Sequence, residues 1–257
     1  MTKEDIDASE APLMDHLAEL RSRLMWSVAG FVVALLVCFY FSTEILHILV
    51  KPFYWGTGTD ITLISIKLLG VFFVKLKIAM FGGLFIAFPL IATQLYRFVA
   101  PGLYKHERAV LAPYLVATPV CFLGGAALVY FMLLPFAIKF FFAVGADAGI
   151  TVMPDIEPYL DFVMTLIFAF GLTFQLPVVL TLLGQLGVVT HTQLTKGRRF
   201  ALVGIAALAA VITPPDPFSM LAMMVPLGLL YEAAVWSVWL IEKRKAKASS
   251  NTDVTPT

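Results

Sequence analysis

Charge is scarce in this chain. Only 14% of its 257 residues are Asp, Glu, Lys or Arg, while 60% are hydrophobic and the mean hydropathy is +0.90. Soluble domains carry about 25% charged residues, so the sequence lacks the charge to cover a water-facing surface and reads as an integral membrane protein. Net charge is small as well: eighteen Lys and Arg against seventeen Asp and Glu leave +1 at pH 7. No field exists to hold a nucleic acid. Cysteine is nearly absent. Cys38 and Cys121 both fall in apolar runs far from any histidine, which argues against a disulfide framework or a zinc site and leaves both as packing residues. Histidine is missing from the apolar runs, since His16, His47, His106 and His191 all lie outside them. A buried Ser-His dyad therefore has no base, and neither a His-Glu-x-x-His helix nor a carboxylate pair in mid-span occurs. The expectation is a protein that is not an enzyme, with no cofactor and no metal.

What is present is apolar length. A helix needs about 20 apolar residues to cross about 30 Å of hydrocarbon, and the intervals between charges expose six candidates. The first is Leu24 to Thr43, the second lies between Lys77 and Arg97 and contains Pro89, and the third runs from Arg108 to about Pro135 with Pro113 and Pro119 inside it. The fourth runs from Tyr159 to about Leu186, with Gln175 and Pro177 in its middle. Prolines inside spans predict kinks, because neighbouring helices re-satisfy the freed carbonyls. The fifth, Phe200 to Ile212, has only 13 residues before Thr213-Pro214-Pro215-Asp216, and the sixth runs from Phe218 to about Ile241. A helix of that length covers about 20 Å. It is read as a short span in a thinned bilayer, with a buried helix or re-entrant hairpin as the alternative; a mismatch of about 10 Å costs only fractions of a kcal/mol per Å.

Six spans put both termini on one side, and the cations say which. The N-terminal arm, the second-to-third connection, the fourth-to-fifth connection and the tail together hold thirteen of the eighteen Lys and Arg residues, so both termini are expected in the cytoplasm. The division is a cytoplasmic amphipathic arm (1–23), a six-span transmembrane domain (24–241) and a cytoplasmic tail (242–257), polar and disordered beyond Lys247. The first apolar run is of full spanning length, which favours an anchor over a cleaved signal peptide. The two outward loops, Glu44 to Val74 and Phe136 to Pro158, are long enough to contain short helices.

Few polar residues stand out. Leu13, Leu17, Leu20 and Leu24 recur at helical spacing from about Pro12, giving an amphipathic helix whose apolar stripe should lie along the membrane surface. Glu19, Arg21 and Arg23 follow near the hydrocarbon boundary, either as interfacial charges with snorkelling arginines or as a carboxylate held for a cationic ligand. The second connection, Gln94 to Arg108, reads as a Pro-Gly turn followed by an acid-and-base cluster. Gln175 is a polar exception in an apolar span and by default bonds to a neighbouring helix, the alternative being a docking point for a further helix. Thr213-Pro214-Pro215-Asp216 reads as a rigid turn with a capping Asp.

Taken together, these residues resemble the TatC subunit of the twin-arginine protein translocase. His16-Leu17-Ala18-Glu19-Leu20-Arg21-Ser22-Arg23 resembles that family's N-terminal motif; Gln94, Phe98 and Pro101 through Glu107 resemble its first cytoplasmic loop. Phe170-Gly171 with Pro177, and Thr213-Pro214-Pro215-Asp216 with Phe218, resemble its fourth span and last outward turn. The resemblance runs from about residue 13 to 240. It implies an all-α fold of six transmembrane helices, kinked, with a short fifth and sixth and a concave receptor shape, in the bacterial cytoplasmic (inner) membrane. It also implies a receptor for the twin-arginine signal peptides of folded cargo, in which Glu19 and Glu107 face the two signal arginines, with Arg21, Gln94, Phe98, Leu103 and Tyr104 around them. Implied partners are the single-span subunits TatB and TatA, docking near Gln175, Pro214 and Asp216, further copies of the receptor, membrane lipids and a proton-motive force. Many family members carry a glutamate where this chain has Gln175, which cannot titrate; a docking role there survives and a proton relay does not. The competing reading is a six-span small-solute transporter or channel with Gln175 and Asp216 along its path, against which the sparse mid-span charge argues.

Overall fold

The structure, a computed structural model, describes residues 3–57, 63–99, 105–147, 149, 153–212 and 217–252. Every regular element among them is helical: α1 (Lys3–Tyr40), α2 (Ser42–Thr57), α3 (Gly70–Val99), α4 (Lys105–Leu128), α5 (Leu134–Asp147), α6 (Ile156–Thr173), α7 (Gln175–Gln185), α8 (His191–Ile212) and α9 (Pro217–Thr252). Five stretches are long and apolar enough to cross a membrane: Leu17–Tyr40, Gly70–Phe98, Pro113–Asp147, Ile156–Gln185 and Met223–Lys245. The protein is a multi-pass, all-helical membrane protein. The remaining expected span, Phe200 to Ile212, is the C-terminal part of α8, whose first turns carry Lys196, Arg198 and Arg199.

Pro52, Pro89 and Pro226 lie inside continuous helices, whereas two other prolines coincide with a change of helical form. Pro135 has no N–H to give the Phe131 carbonyl, and the chain widens into a π-helical turn over Val129–Leu133, where Leu134 N–H donates to the Val129 carbonyl five residues back. Pro177 acts likewise in the fourth span. α6 stops at Thr173 and α7 restarts at Gln175, with Phe174 between them at φ −66°, ψ −10°. Gln175 therefore opens a new helix at an interruption, where the sequence led one to expect a kink within a single helix.

Helix runs through both expected divisions of the chain. α1 is continuous from Lys3 to Tyr40, across residue 23. α9 extends to Thr252, beyond Lys247, since the Lys- and Ala-rich segment after Ile241 favours helix.

The chain divides into two compact units, residues 1–48 with 69–115 and residues 49–68 with 116–257. In the first, α1 and α3 run antiparallel, with small residues at the seam. A Cβ on Gly83 would stand 2.8 Å from Leu35 Cα and 2.9 Å from its backbone nitrogen, and one on Gly82 would stand 3.0 Å from Cys38 Sγ. Backbones approach this closely only where a side chain is missing. In the second unit, aromatic rings fill the gaps. A Cβ on Gly171 would meet the Phe122 ring at 2.6 Å, and Phe122, Phe170, Leu160 and Val163 are buried. Phe53 makes edge contacts with Phe142 at 5.7 Å and Tyr159 at 5.4 Å between centroids, and the Tyr159 hydroxyl donates to the Leu49 carbonyl at 3.0 Å.

Helices form in both expected outward loops: α2 occupies much of the first and α5 enters the second. Within the second unit the loops are stapled together. Ile64 N–H donates to the Pro154 carbonyl at 3.1 Å, Ile156 N–H donates to the Ile64 carbonyl at 2.9 Å, and Lys67 Nζ lies 2.8 Å from Glu157 Oε2. Asp155 caps α6 by accepting from Glu157 N–H.

Candidate functional site

Glu19 lies on the face of α1 turned toward α3. Its spacing to Arg23 is i,i+4 with the acid first, the favoured helical order. Arg23 donates to Glu19 Oε1 twice, from Nε at 2.9 Å and from Nη2 at 2.5 Å. A third donor, Nη1, reaches Gln94 Oε1 on α3 at 3.4 Å. The side chains of Arg23 and Glu19 are 24% and 30% exposed, so water screens this pair less than it screens an exposed one, worth about 0.3–0.5 kcal/mol. One guanidinium thus joins a carboxylate on one helix to a carboxamide on the next.

The family resemblance puts Glu19 and Gln94 in one site, and the structure brings them together through Arg23, which the sequence marks only as an interfacial charge. The i,i+4 spacing was the signal that could have found it. Arg21 is elsewhere on the helix. It lines a groove of about 540 Å³ with Ala18, Ser22, Met25, Trp26 and Ala29, on the face away from Arg23. Phe98 follows Gln94 by one turn at the end of α3. Glu107 belongs to the first turn of α4, and its side chain lies outside the described residues, as do Leu103 and Tyr104.

Gln175 bonds within the protein. Its Nε2 donates to the Thr118 carbonyl of α4 at 3.0 Å, the cross-helix link expected of a membrane glutamine. Beside it runs a groove of about 380 Å³ lined by Leu172, Thr173, Leu176, Val179, Leu180 and Leu208. Pro214 and Asp216 lie outside the described residues. A further polar pair is not among the residues that the sequence singles out: Arg198 Nη2 of α8 meets Glu232 Oε2 of α9 at 2.8 Å, with both side chains about half exposed. A lone acid in the apolar run of α9 was its available signal.

Five stretches long and apolar enough to cross a membrane, with a partly shielded carboxylate–guanidinium pair on the first of them, define the class of the protein as a multi-pass helical membrane protein. The family described as Sec-independent protein translocase protein (TatC) matches residues 15–226, and this chain belongs to it. A TatC of Magnetococcus marinus is 40% identical over 238 residues, covering 93% of this chain and 88% of its own. The TatC of Escherichia coli K12 is 36% identical over 225 residues, covering 88% and 87%. Among solved structures, a crystal structure of the twin-arginine translocase receptor TatC superposes with a TM-score of 0.79 at 34% identity, covering 88% of this chain and 99% of that one.

Proposed function

We propose that this protein is the receptor core of a twin-arginine translocase, binding the twin-arginine signal peptides of folded proteins on the cytoplasmic face of the bacterial inner membrane. The observation that carries the reading is the environment of Glu19: a carboxylate near one end of the apolar stretch Leu17–Tyr40, partly shielded from water, already engaged with a guanidinium. Arginine offers a planar fork with five donors and lysine a point charge, so a site built this way prefers the first. Glu107 supplies the second carboxylate, and Gln94, Phe98, Leu103 and Tyr104 form the surface around the bound peptide, while Arg21, on the other face of α1, stands apart from it.

The remaining parts of the reading follow the family. The receptor binds and organises without catalysing. Both termini are cytoplasmic, α8 serves as a short fifth span of a six-span, concave receptor, and the single-span subunits TatB and TatA dock beside Gln175, Pro214 and Asp216, with proton-motive force driving export. Further copies and surrounding lipid complete the assembly.

Binding of a labelled twin-arginine signal peptide to the purified protein in nanodiscs tests the reading, beside a twin-lysine peptide and the Glu19→Ala and Glu107→Gln variants. Binding lost with twin-lysine and reduced at least tenfold in each variant is the expected result. Binding indifferent to these changes, or none by a folded sample, refutes it, and solute uptake by the protein alone in liposomes would favour a transporter instead.

A further inference from the structure

We propose that Glu19 and Gln94 form a seat for a guanidinium, that Arg23 fills this seat in the free protein, and that an incoming arginine must displace Arg23 to bind. The proposal rests on the receptor reading for the identity of the incoming arginine, but not for the existence of the seat. Three guanidinium nitrogens of Arg23 are used, two on Glu19 Oε1 and one on Gln94 Oε1. The arrangement serves the ligand better than it serves Arg23. A carboxylate and a guanidinium bind best through two parallel hydrogen bonds, one to each oxygen, yet Arg23 spends both nitrogens on a single oxygen. Among the described residues, Glu19 Oε2 accepts nothing.

Arg23 reaches Glu19 from one turn further along the same helix, a tether that limits how its fork can approach, and it places two donors on one oxygen. An arginine on a separate chain has no such constraint and can take both oxygens. Exchange of one guanidinium for another also leaves the partly shielded carboxylate paired throughout, so ligand binding does not repeat the cost of desolvating it. The displaced Arg23 keeps a long apolar stem and a charged head that can reach water.

Competition by Arg23 makes the seat selective. A lysine must displace a bound guanidinium while offering a point charge that cannot reproduce its planar set of donors. Arg23 is therefore a specificity-determining residue that acts by excluding weaker cations, a negative element of the kind that sharp discrimination often requires.

Two measurements test this. In Arg23→Gln the seat is empty, and a twin-arginine peptide should bind about tenfold tighter, or about 1.4 kcal/mol, with a larger gain for the twin-lysine peptide, so that discrimination narrows. Arg23→Lys, which keeps the charge but loses the fork, should fall between the native chain and Arg23→Gln, and serves if the glutamine variant does not fold. The second measurement needs no peptide: millimolar methylguanidinium should raise the unfolding temperature of Arg23→Gln but not of the native chain, and methylammonium should raise neither. Weaker or unchanged peptide binding in the folded variants, or no methylguanidinium effect, overturns the proposal. Methylguanidinium rescue in a protein that binds no signal peptide would keep the seat and overturn the receptor reading.

Discussion

The seam between α1 and α3 and the interior of the second unit bring helices together by different means. At the seam no ring is involved: Gly83 faces the backbone of Leu35 and Gly82 the Cys38 side chain. In the second unit aromatic rings take part, Phe122 on Gly171 and Phe174, with the Phe170 carbonyl, on Gly125. The degree of enclosure differs as well: only 6% of the most apolar stretch of α1 is buried, against 33% for α3 and 28% for α6 with α7. Within its unit α1 is held along one narrow line, and that line ends at Glu19, Arg23 and Gln94. In a membrane the hydrophobic effect does not press helices together, because lipid is as apolar as leucine. Close backbone approach and a few polar bonds must therefore hold α1, and the proposed site sits on one of them.

This contrast can be broken most strongly at Gly83. In Gly83→Leu the new side chain meets the backbone of Leu35, which cannot turn aside, and overpacking of this kind costs about 1–3 kcal/mol. The expected result is a lowered unfolding temperature in detergent and weaker signal-peptide binding, because Glu19 and Gln94 move apart. Gly204, where an added Cβ would meet nothing within 4 Å, provides the control: Gly204→Ala should stabilise by up to about 1 kcal/mol through helix propensity alone.

Gln175→Leu tests the second unit. Loss of the bond to the Thr118 carbonyl should cost about 1 kcal/mol of stability. Association with a partner's transmembrane helix should weaken as well, and co-purification that is unchanged while stability falls would assign Gln175 to the internal bond alone. The smallest effect is expected at Lys67→Ala, which removes an ion pair whose lysine is 69% exposed. An exposed partner of this kind contributes about 0.2–1 kcal/mol, and thermal unfolding should barely shift.

Much of this architecture was legible in the residues. Apolar runs located five of the six expected spans, and Pro177 was among the prolines expected to disturb a helix, but Pro89, expected to do the same, lies inside a continuous one, because whether a missing N–H interrupts a helix depends on what surrounds it. Less legible was what each interruption becomes. The same lack of a donor produces a π-helical turn before Pro135 and a restarted helix before Pro177. Helix passes through residue 23 without a break, since no Gly or Pro falls between Leu13 and Ala29 to end it. Glu19 stood out as a carboxylate awaiting a cation, and the cation beside it was four residues away in its own sequence.

The sequence alone determined that this is a helical membrane protein, because hydrocarbon admits only backbones that satisfy their own hydrogen bonds and charge cannot remain in mid-span without a partner. It also determined the family, through short motifs spread from the N-terminal arm to the last turn. Only the tertiary structure decided which polar groups meet. Glu19 with Gln94, Gln175 with Thr118 and Arg198 with Glu232 are pairings between helices or bridged across them. They depend on the phase and depth at which two helices pack, which at the α1–α3 seam is set by where Gly83 lets one backbone approach another.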